Sequence, residues 1–344
     1  MIIDKLIGMF SNDMAIDLGT ANTIIMAKGH GIIINEPSVV AVQMDMMGGK
    51  KILAVGKEAK DMLGKTPGNI RAVRPMRDGV IADFEMTERM IRYFIVKVHQ
   101  RKRLMRPRIV ICVPYGLTQV ERKAVKEAAM SAGAREVFLI EEPMAAAIGA
   151  GLPVKEPKGS LVVDIGGGTT EIGVISLGGL VISKSIRMAG DKMDTAMVDC
   201  LKRKYNLLIG ERAGEEIKIR TGNAIAPKEK IIMRVNGRDQ ISGLLTAIDL
   251  SSDETREALA EPLKEILNAL KDVLEVTPPD LAADIIENGI MLTGGGALLR
   301  GLDKYLADAI KLPVYIAEDP LLAVAMGTGK VLEQVDLLKQ LSND

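Results

Sequence analysis

The stretch that most constrains the fold of this chain is Leu161–Ile175, which reads LVVDIGGGTTEIGVI. Two apolar, β-favouring runs flank three glycines and two threonines, which predicts a strand, a tight glycine turn and a second strand. Glycine lets the backbone approach a ligand and adopt positive φ, so that successive N–H groups can point at a phosphate. Asp164 ends the first strand at the mouth of the turn, where a carboxylate suits a hydrated Mg²⁺. The alternative is a plain β-turn with an incidental aspartate, and this stretch alone leaves both open.

A second stretch repeats the plan near the N-terminus. Ala15–Ile25 also runs from an apolar strand through aspartate, glycine and threonine into another apolar strand. Two such copies predict two similar domains, each offering one phosphate-binding hairpin to a shared cleft. A third glycine cluster, Gly294–Gly296, follows an apolar run and leads into a helical pattern. Its N–H groups, at a helix start, are candidates to meet the same ligand.

Composition excludes several classes of protein. A chain of 344 residues, 47% hydrophobic and 26% charged, predicts two globular domains with ample core. Lys plus Arg equals Asp plus Glu and only 3% of residues are aromatic, which argues against a nucleic-acid partner. Two cysteines and two histidines leave no disulfide framework, His-based triad or zinc site, so a reducing cytoplasm fits. No apolar run approaches the ~18 residues of a membrane span.

Two segments have a pattern that suits a membrane surface. Residues 1–10 are apolar on one helical face, which fits an interfacial anchor or a segment packed on its own domain. Residues 100–108 form a basic run with Leu104 and Met105 at its centre. This run is either a solvated loop or a loop that dips two apolar side chains into anionic lipid.

The rest of the first half alternates strands and helices. Residues 14–43 predict three strands, Ile52–Val55 predicts another, and residues 71–83 predict a polar connection. Gly64-Lys65-Thr66 resembles half of a Walker A motif, but Ala59 stands where that motif needs glycine and no strand precedes it. A P-loop is therefore rejected.

Two carboxylates follow a strand in this half. Val137–Ile140 predicts a buried strand that delivers Glu141 and Glu142 to its end, with Pro143 in the first turn of the next helix. Carboxylates at a strand end beside a cleft are candidate bases for orienting water. The alternative is a pair of helix-start carboxylates favoured by the helix dipole.

The sequence of the second half predicts further strands and helices, and it contains one pair of residues that suits a ribose. Residues 189–191 turn into a helix, and Glu215 and Lys218 lie one turn apart on the next helix, either as an exposed ion pair or as ribose contacts. Residues 231–235 with Asn236-Gly237 predict a small hairpin. A helix from Pro320 to Leu338 would close the chain on the first domain.

Together these motifs resemble the actin, Hsp70 and sugar-kinase superfamily, and longer strings resemble the MreB family of bacterial actin-like cell-shape proteins. The strings occupy residues 11–23, 35–40, 63–70, 74–83 and 140–153. The resemblance implies an actin-like α/β fold of two related domains with RNase H-like cores and nucleotide in the cleft between them. Domain I would be residues 1–150 (core 1–34 and 78–150, small subdomain 35–77) with the helix 320–344 returning to it. Domain II would be residues 151–319 (core 151–190 and 250–319, small subdomain 191–249).

The resemblance also implies roles for particular residues. Asp17 and Asp164 would hold Mg²⁺ through water, and Glu142 would position or activate the attacking water with help from Thr169. Glu215 and Lys218 would meet the ribose. The remaining residues implied to bind the nucleotide are Gly19, Thr20, Ala21, Asn22, Gly166, Gly167, Gly168, Thr169, Thr170, Gly190, Asp191, Gly294, Gly295, Gly296, Ala297 and Leu298.

The function implied is that of an ATP-hydrolysing protein that polymerises into double filaments. Its partners would be further copies of itself, lipid at the inner face of the cytoplasmic membrane, and the cell-wall elongation machinery with its membrane adaptors, and not nucleic acid. Through them it would organise wall synthesis and maintain rod shape. The residues implied to touch the membrane are Ile2, Ile3, Leu6, Ile7, Phe10, Leu104 and Met105.

The chain departs from the family pattern at two places, and two other functions compete. Ala189 stands where the family has glycine, which predicts a different turn there because alanine disfavours positive φ. Residues 219–250 match poorly. A small-molecule kinase on the same fold is the main alternative, although no distinct acceptor base is found. An Hsp70-like module coupled to peptide binding is the other, although no β-rich substrate domain follows.

Overall fold

The computed structural model describes residues 13–44, 49–99 and 106–334. The chain divides into two compact units, the first running through Val154 and resuming at Leu321, the second spanning Lys155–Pro320. Each unit has its own hydrophobic core. Across the three described ranges, no helix is long and apolar enough to cross a membrane.

Ten of the described strands and four of the described helices lie in the part of unit 1 that ends at Val154. Its strands are β1 (Met14–Leu18), β2 (Asn22–Ala27), β3 (Gly31–Pro37), β4 (Val40–Met44), β5 (Lys50–Val55), β6 (Ile70–Val73), β7 (Met76–Arg77), β8 (Val80–Ile81), β9 (Arg108–Val113) and β10 (Glu136–Glu141). The helices are α1 (Lys57–Met62), α2 (Phe84–His99), α3 (Gln119–Ala132) and α4 (Glu142–Gly149).

Unit 2 follows the same alternation of strands and helices. Its strands are β11 (Ser160–Ile165), β12 (Thr170–Ser176), β13 (Gly179–Ile186), β14 (Leu207–Leu208), β15 (Ile232–Asp239), β16 (Leu245–Ser251), β17 (Ile290–Thr293) and β18 (Val314–Ile316). Its helices are α5 (Gly190–Tyr205), α6 (Glu211–Thr221), α7 (Ser252–Val276), α8 (Pro279–Asn288) and α9 (Leu302–Ile310), with a 3₁₀ turn at Gly295–Leu298. The last described helix, α10 (Ala323–Glu333), belongs to unit 1.

The main sheet of unit 1 has the strand order β10-β9-β1-β2-β3. β1 pairs antiparallel with β2 and parallel with β9, so the hairpin predicted at Ala15–Ile25 is confirmed. The prediction of three strands over residues 14–43 is wrong, because the chain turns at residues 28–30 and again at 38–39 and so forms four. The predicted polar connection at 71–83 is also wrong in part, since β6 pairs with β4 and β7 pairs with β8.

Two helices of unit 1 show how local sequence shapes a helix. The apolar face of α2 is buried against the sheet through Met90, Ile91 and Phe94. At the start of α3, the Thr118 hydroxyl accepts a hydrogen bond from the Glu121 N–H, and the Glu121 carboxylate accepts one from the Thr118 N–H. This capping box satisfies N–H groups that a helix start leaves without partners.

Helices α4 and α10 pack backbone to backbone. A Cβ atom added to Gly149 would lie 1.7 Å from the carbonyl oxygen of Ala323, and one added to Gly327 would lie 1.8 Å from that of Ala145. Only glycine permits this approach. Of the predicted closing helix, residues 335–338 lie outside the described residues.

The main sheet of unit 2 has the order β13-β12-β11-β17-β18, with β11 antiparallel to β12 and parallel to β17. The strand–turn–strand prediction for Leu161–Ile175 is therefore confirmed. The pairing aligns Asp164 with Glu171 on β12 and with Thr293 on β17. The end of β11 thus receives polar side chains from both neighbouring strands.

A small sheet of order β14-β15-β16 lies outside the main sheet of unit 2. β15 and β16 form the hairpin predicted near residue 231. Asn236 and Gly237 lie within β15 opposite Ala247 and Thr246, and the chain turns at residues 240–244.

Candidate functional site

The glycine turn of unit 2 is held by backbone hydrogen bonds on both sides. The Gly166 N–H donates to the Thr169 carbonyl at 2.9 Å and closes the turn. The carbonyls of Gly166 and Gly167 accept hydrogen bonds from the N–H groups of Gly190 and Asp191, at 3.1 and 2.8 Å. Since Gly190 and Asp191 begin α5, the N-terminus of this helix is fixed against the turn.

Ala189 precedes that helix without distorting it. Its φ of −156° and ψ of −157° are extended values that alanine adopts freely. Because φ is negative here, the steric reason for expecting a different turn at this residue does not apply.

Asp164 is a buried carboxylate at the mouth of the turn. The Thr293 hydroxyl donates a hydrogen bond to its Oδ1 at 2.8 Å. Burial raises the pKa of Asp164 to about 6, and the hydrogen bond from Thr293 opposes that rise. A buried carboxylate with a raised pKa gains from a nearby cation, so this position suits the water-mediated Mg²⁺ contact that the sequence predicts.

The third glycine cluster packs directly against the end of β11. A Cβ atom on Gly294, which has a φ of +79°, would lie 2.4 Å from the Ile165 carbonyl oxygen, and one on Gly296 would lie 2.2 Å from Ile165 Cγ2. Residues 294–298 therefore lie beside the glycine turn of unit 2. The helix start predicted at this cluster is a 3₁₀ turn at Gly295–Leu298, and the α-helix that follows, α9, begins at Leu302.

Lys218 on α6 points to α5. Its Nζ lies 2.8 Å from Asp194 Oδ1 and donates a hydrogen bond to the Gly190 carbonyl at 3.1 Å. Glu215, the other predicted ribose contact, is half-buried one turn earlier. Lys218 is thus hydrogen-bonded to the first residue of α5, the helix whose N-terminus is hydrogen-bonded to the glycine turn.

The corresponding turn of unit 1, at residues 19–21, is held by hydrogen bonds that involve side-chain hydroxyl groups. The Ser38 hydroxyl donates to the Gly19 carbonyl at 2.7 Å, and Thr23 Oγ1 lies 2.9 Å from the same hydroxyl oxygen. The Gly79 N–H donates to Thr20 Oγ1 at 3.1 Å. Gly19 itself has no room for a side chain, since an added Cβ would lie 2.7 Å from the Asn22 carbonyl oxygen.

Unit 1 also gathers two of the predicted functional carboxylates around a buried thiol. The Cys112 S–H donates to Asp17 Oδ1 at 3.3 Å. The pKa of the Cys112 thiol is raised well above its ordinary value by burial, then by the negative charges of Asp17 and Glu142. Asp17 therefore contacts this thiol directly, and Glu142 acts on it through its charge.

The two candidate bases that end β10 differ in their surroundings. Glu141 forms an ion pair with Arg122 at 2.7 Å. Glu142, the first residue of α4, is buried with 8% of its surface exposed. Of the pair, Glu142 is the carboxylate whose charge, like that of Asp17, raises the pKa of the Cys112 thiol.

Sequence reasoning missed Thr293, Ser38 and Asp194, which contact predicted site residues from elsewhere in the fold. The predicted membrane contacts lie outside the described residues; these are Ile2, Ile3, Leu6, Ile7, Phe10, Leu104 and Met105.

Comparison with known proteins identifies the family. The model of the MreB/Mbl protein family matches residues 11–340. The chain belongs to the MreB/Mbl family. Among MreB/Mbl relatives, the cell shape-determining protein MreB of Escherichia coli (strain K12) is 56% identical over 339 residues, covering 98% of this chain and 97% of that protein. The cell shape-determining protein Mbl of Bacillus subtilis (strain 168) is 53% identical over 330 residues, covering 96% and 98%.

Solved structures of MreB and a related filament protein share this fold. MreB 5 of Spiroplasma citri bound to AMPPNP is 38% identical with a TM-score of 0.89, over 96% of this chain and 98% of that one. The same protein bound to ADP gives a TM-score of 0.90 at 38% identity, over 97% and 99%. The MamK double helical filament, at 22% identity, gives a TM-score of 0.79 over 94% and 99%, which bears on the fold alone. The predicted actin-like fold is confirmed.

Proposed function

We propose that this chain binds ATP and ADP with Mg²⁺, hydrolyses ATP slowly, and polymerises into double filaments at the inner face of the cytoplasmic membrane. The observation that carries the proposal is the likeness to MreB 5 of Spiroplasma citri bound to AMPPNP and to ADP. The relatives named as cell shape-determining proteins support a cytoskeletal role in which the filaments organise cell-wall synthesis and maintain rod shape. Isothermal titration with MgATP and MgADP tests the binding step, and no heat from either nucleotide would refute it.

The proposed nucleotide contacts come from both glycine turns. Asp17 and Asp164 hold Mg²⁺ through water, and the metal when bound neutralises phosphate charge. Glu215 and Lys218 meet the ribose. The phosphates and adenosine are met by Gly19, Thr20, Ala21, Asn22, Gly166, Gly167, Gly168, Thr169, Thr170, Gly190, Asp191, Gly294, Gly295, Gly296, Ala297 and Leu298.

Glu142 is the proposed group that orients the attacking water, with Thr169 assisting. A buried carboxylate whose charge, like that of Asp17, raises the pKa of the Cys112 thiol is suited to accept a hydrogen bond from water. We expect Glu142→Gln to lower the rate of phosphate release by about 10²-fold or more while nucleotide affinity is kept. Glu141→Gln is the matched control, since Glu141 is its chain neighbour but forms an ion pair with Arg122. Equal rates in the two variants would remove Glu142 from the mechanism.

Assembly and membrane binding are tested together by sedimentation with ATP, with and without anionic liposomes. The membrane contact is assigned to the apolar residues of segments 1–10 and 100–108, whose pattern suits lipid. We expect filaments to pellet with ATP and liposomes to pellet more protein, and Leu104→Ser with Met105→Ser to reduce the lipid-dependent part. A protein that stays in the supernatant throughout would contradict the proposal.

A further inference from the structure

Helices α5 and α6 pack closely at Gly214, and this close contact determines where Lys218 lies. A Cβ atom on Gly214 would lie 2.8 Å from the Asp194 carbonyl oxygen and 3.0 Å from Val198 Cγ2. Lys218 follows Gly214 by one helical turn and therefore lies on the same face of α6, toward α5. The close approach of the two backbones brings its ammonium group within reach of Asp194.

Lys218 and Asp194 form a largely buried ion pair. Nζ lies 2.8 Å from Oδ1, and the two side chains are 17% and 13% exposed. Among the described residues, the Lys218 ammonium is the cation and hydrogen-bond donor that stabilises this carboxylate. Burial raises the pKa of Asp194, and Lys218 opposes this. Removing either partner leaves the other as a poorly compensated charge.

The ion pair is joined to the phosphate turn through the start of α5. Lys218 donates to the Gly190 carbonyl at 3.1 Å, and the Gly190 N–H donates to the Gly166 carbonyl at 3.1 Å. A Cβ atom on Gly190 would lie 3.2 Å from the Gly166 oxygen and 3.4 Å from Lys218 Nζ. The Lys218 ammonium group thus lies next to the glycine turn, but its hydrogen bond and its ion pair are both made to α5 and not to the turn.

We propose that Asp194 is a positioning residue that makes Lys218 a donor to the ribose hydroxyls of a bound nucleotide and keeps it off the phosphates. This inference rests on the proposed ATP binding. A lysine ammonium on a flexible four-carbon stem is a mobile point charge, and a triphosphate would attract it strongly. Paired with Asp194, the ammonium is nearly neutralised and has a fixed direction, which suits a hydrogen bond to a neutral hydroxyl. Phosphate binding is then left to backbone N–H groups and the metal.

The test compares ligands that share phosphates but differ in the sugar. Affinities of the full chain for ATP, 2′-deoxyATP and inorganic tripolyphosphate are measured by calorimetry at fixed Mg²⁺. We expect Asp194→Asn to reduce the preference for ATP over tripolyphosphate by about tenfold, the value of one well-aligned hydrogen bond. Its preference for ATP over 2′-deoxyATP should also fall. Asp199→Asn, an exposed change on the same helix, should leave both preferences at the wild-type values.

A merely structural role for Asp194 would weaken all three ligands equally, and that result would overturn the proposal. If Asp194→Asn does not fold, the double variant Asp194→Asn, Lys218→Gln removes both charges and avoids the uncompensated one. It should show the same reduced preferences, and wild-type preferences in it would also overturn the proposal. A wild-type chain that binds none of the ligands would refute ATP binding itself. Binding of ATP by the wild type with unchanged preferences in Asp194→Asn would refute only the role of Asp194.

Discussion

Within the described ranges, the Asp164 carboxylate accepts a side-chain hydrogen bond from one hydroxyl, that of Thr293 on the neighbouring strand. Thr293→Val keeps the shape of the side chain but removes the hydrogen bond at 2.8 Å, so the pKa of Asp164 should rise further. A hydrogen bond to a charged group is worth about 1.5–3 kcal/mol. We expect the Mg²⁺ concentration that supports ATP binding at pH 7 to rise roughly tenfold or more, and Thr293→Ser, which keeps the hydroxyl, to stay near wild type. Identical Mg²⁺ titrations for the two variants would contradict this role.

The same carboxylate makes the stability of the metal-free protein depend on pH. Its pKa is raised from 3.8 to about 6, so the folded chain holds this proton more tightly than the unfolded chain does between those values. The free energy of unfolding therefore falls as pH rises from about 4 to about 6, by roughly 3 kcal/mol for a shift of about two units. The asparagine side chain of the Asp164→Asn variant cannot ionise, so the variant should not lose this stability as pH rises.

Urea unfolding in EDTA measures the effect. We expect Asp164→Asn to be more stable than wild type at pH 7.5, with a difference that shrinks toward pH 4, although the variant should lose Mg²⁺-dependent nucleotide binding. A difference that is constant with pH would show that burial of the charge is not its cause.

At the scale of elements, the contact between α4 and α10 leaves no space for side chains. Gly327→Ala would place a Cβ atom 1.8 Å from the Ala145 carbonyl, so the helix backbones must separate, and we expect a loss of about 3 kcal/mol in the free energy of unfolding. Gly329→Ala on the same helix is the control. Its Cβ would meet Met26 Sδ at 2.7 Å, in a flexible side chain that can move aside, so the loss in urea unfolding should be clearly smaller. Equal losses would mean that the backbone contact is not limiting.

The elements that sequence predicts well are those whose signal is local. Both glycine hairpins are flanked by apolar runs, so each is predicted correctly from nearby residues. Asn236-Gly237 is typical of a hairpin turn, but both residues lie within the strand β15. Gly237 is required for a different reason, because a Cβ atom there would lie 2.7 Å from the Leu208 carbonyl of the adjacent strand. The chain turns instead where Asp239 accepts hydrogen bonds from Ile241 and Ser242.

The parts of the site that sequence cannot predict are contacts between distant residues. Thr293 reaches Asp164 across 129 positions of the chain, and Lys218 meets Asp194 only because two helices pack closely at Gly214. The residue types at these positions are ordinary for a strand end and a helix surface. Only the strand order and the helix packing reveal which partner each one meets.

At the scale of the whole molecule, the hairpin of β15 and β16 exposes apolar side chains that a monomer leaves in water. Ile241, Leu244 and Leu245 are 81%, 69% and 90% exposed. Burying such side chains between copies of the chain is favourable by roughly 1.5–3 kcal/mol for each one fully covered. We therefore expect Leu244→Ser with Leu245→Ser to raise the protein concentration needed for ATP-dependent sedimentation by about tenfold or more. Nucleotide affinity below that concentration should not change, because the hairpin tip carries none of the proposed nucleotide contacts. Leu177→Ser, at another turn of unit 2 with 70% exposure, is the matched control, and sedimentation of the double variant at the wild-type concentration would exclude the hairpin from the assembly contact.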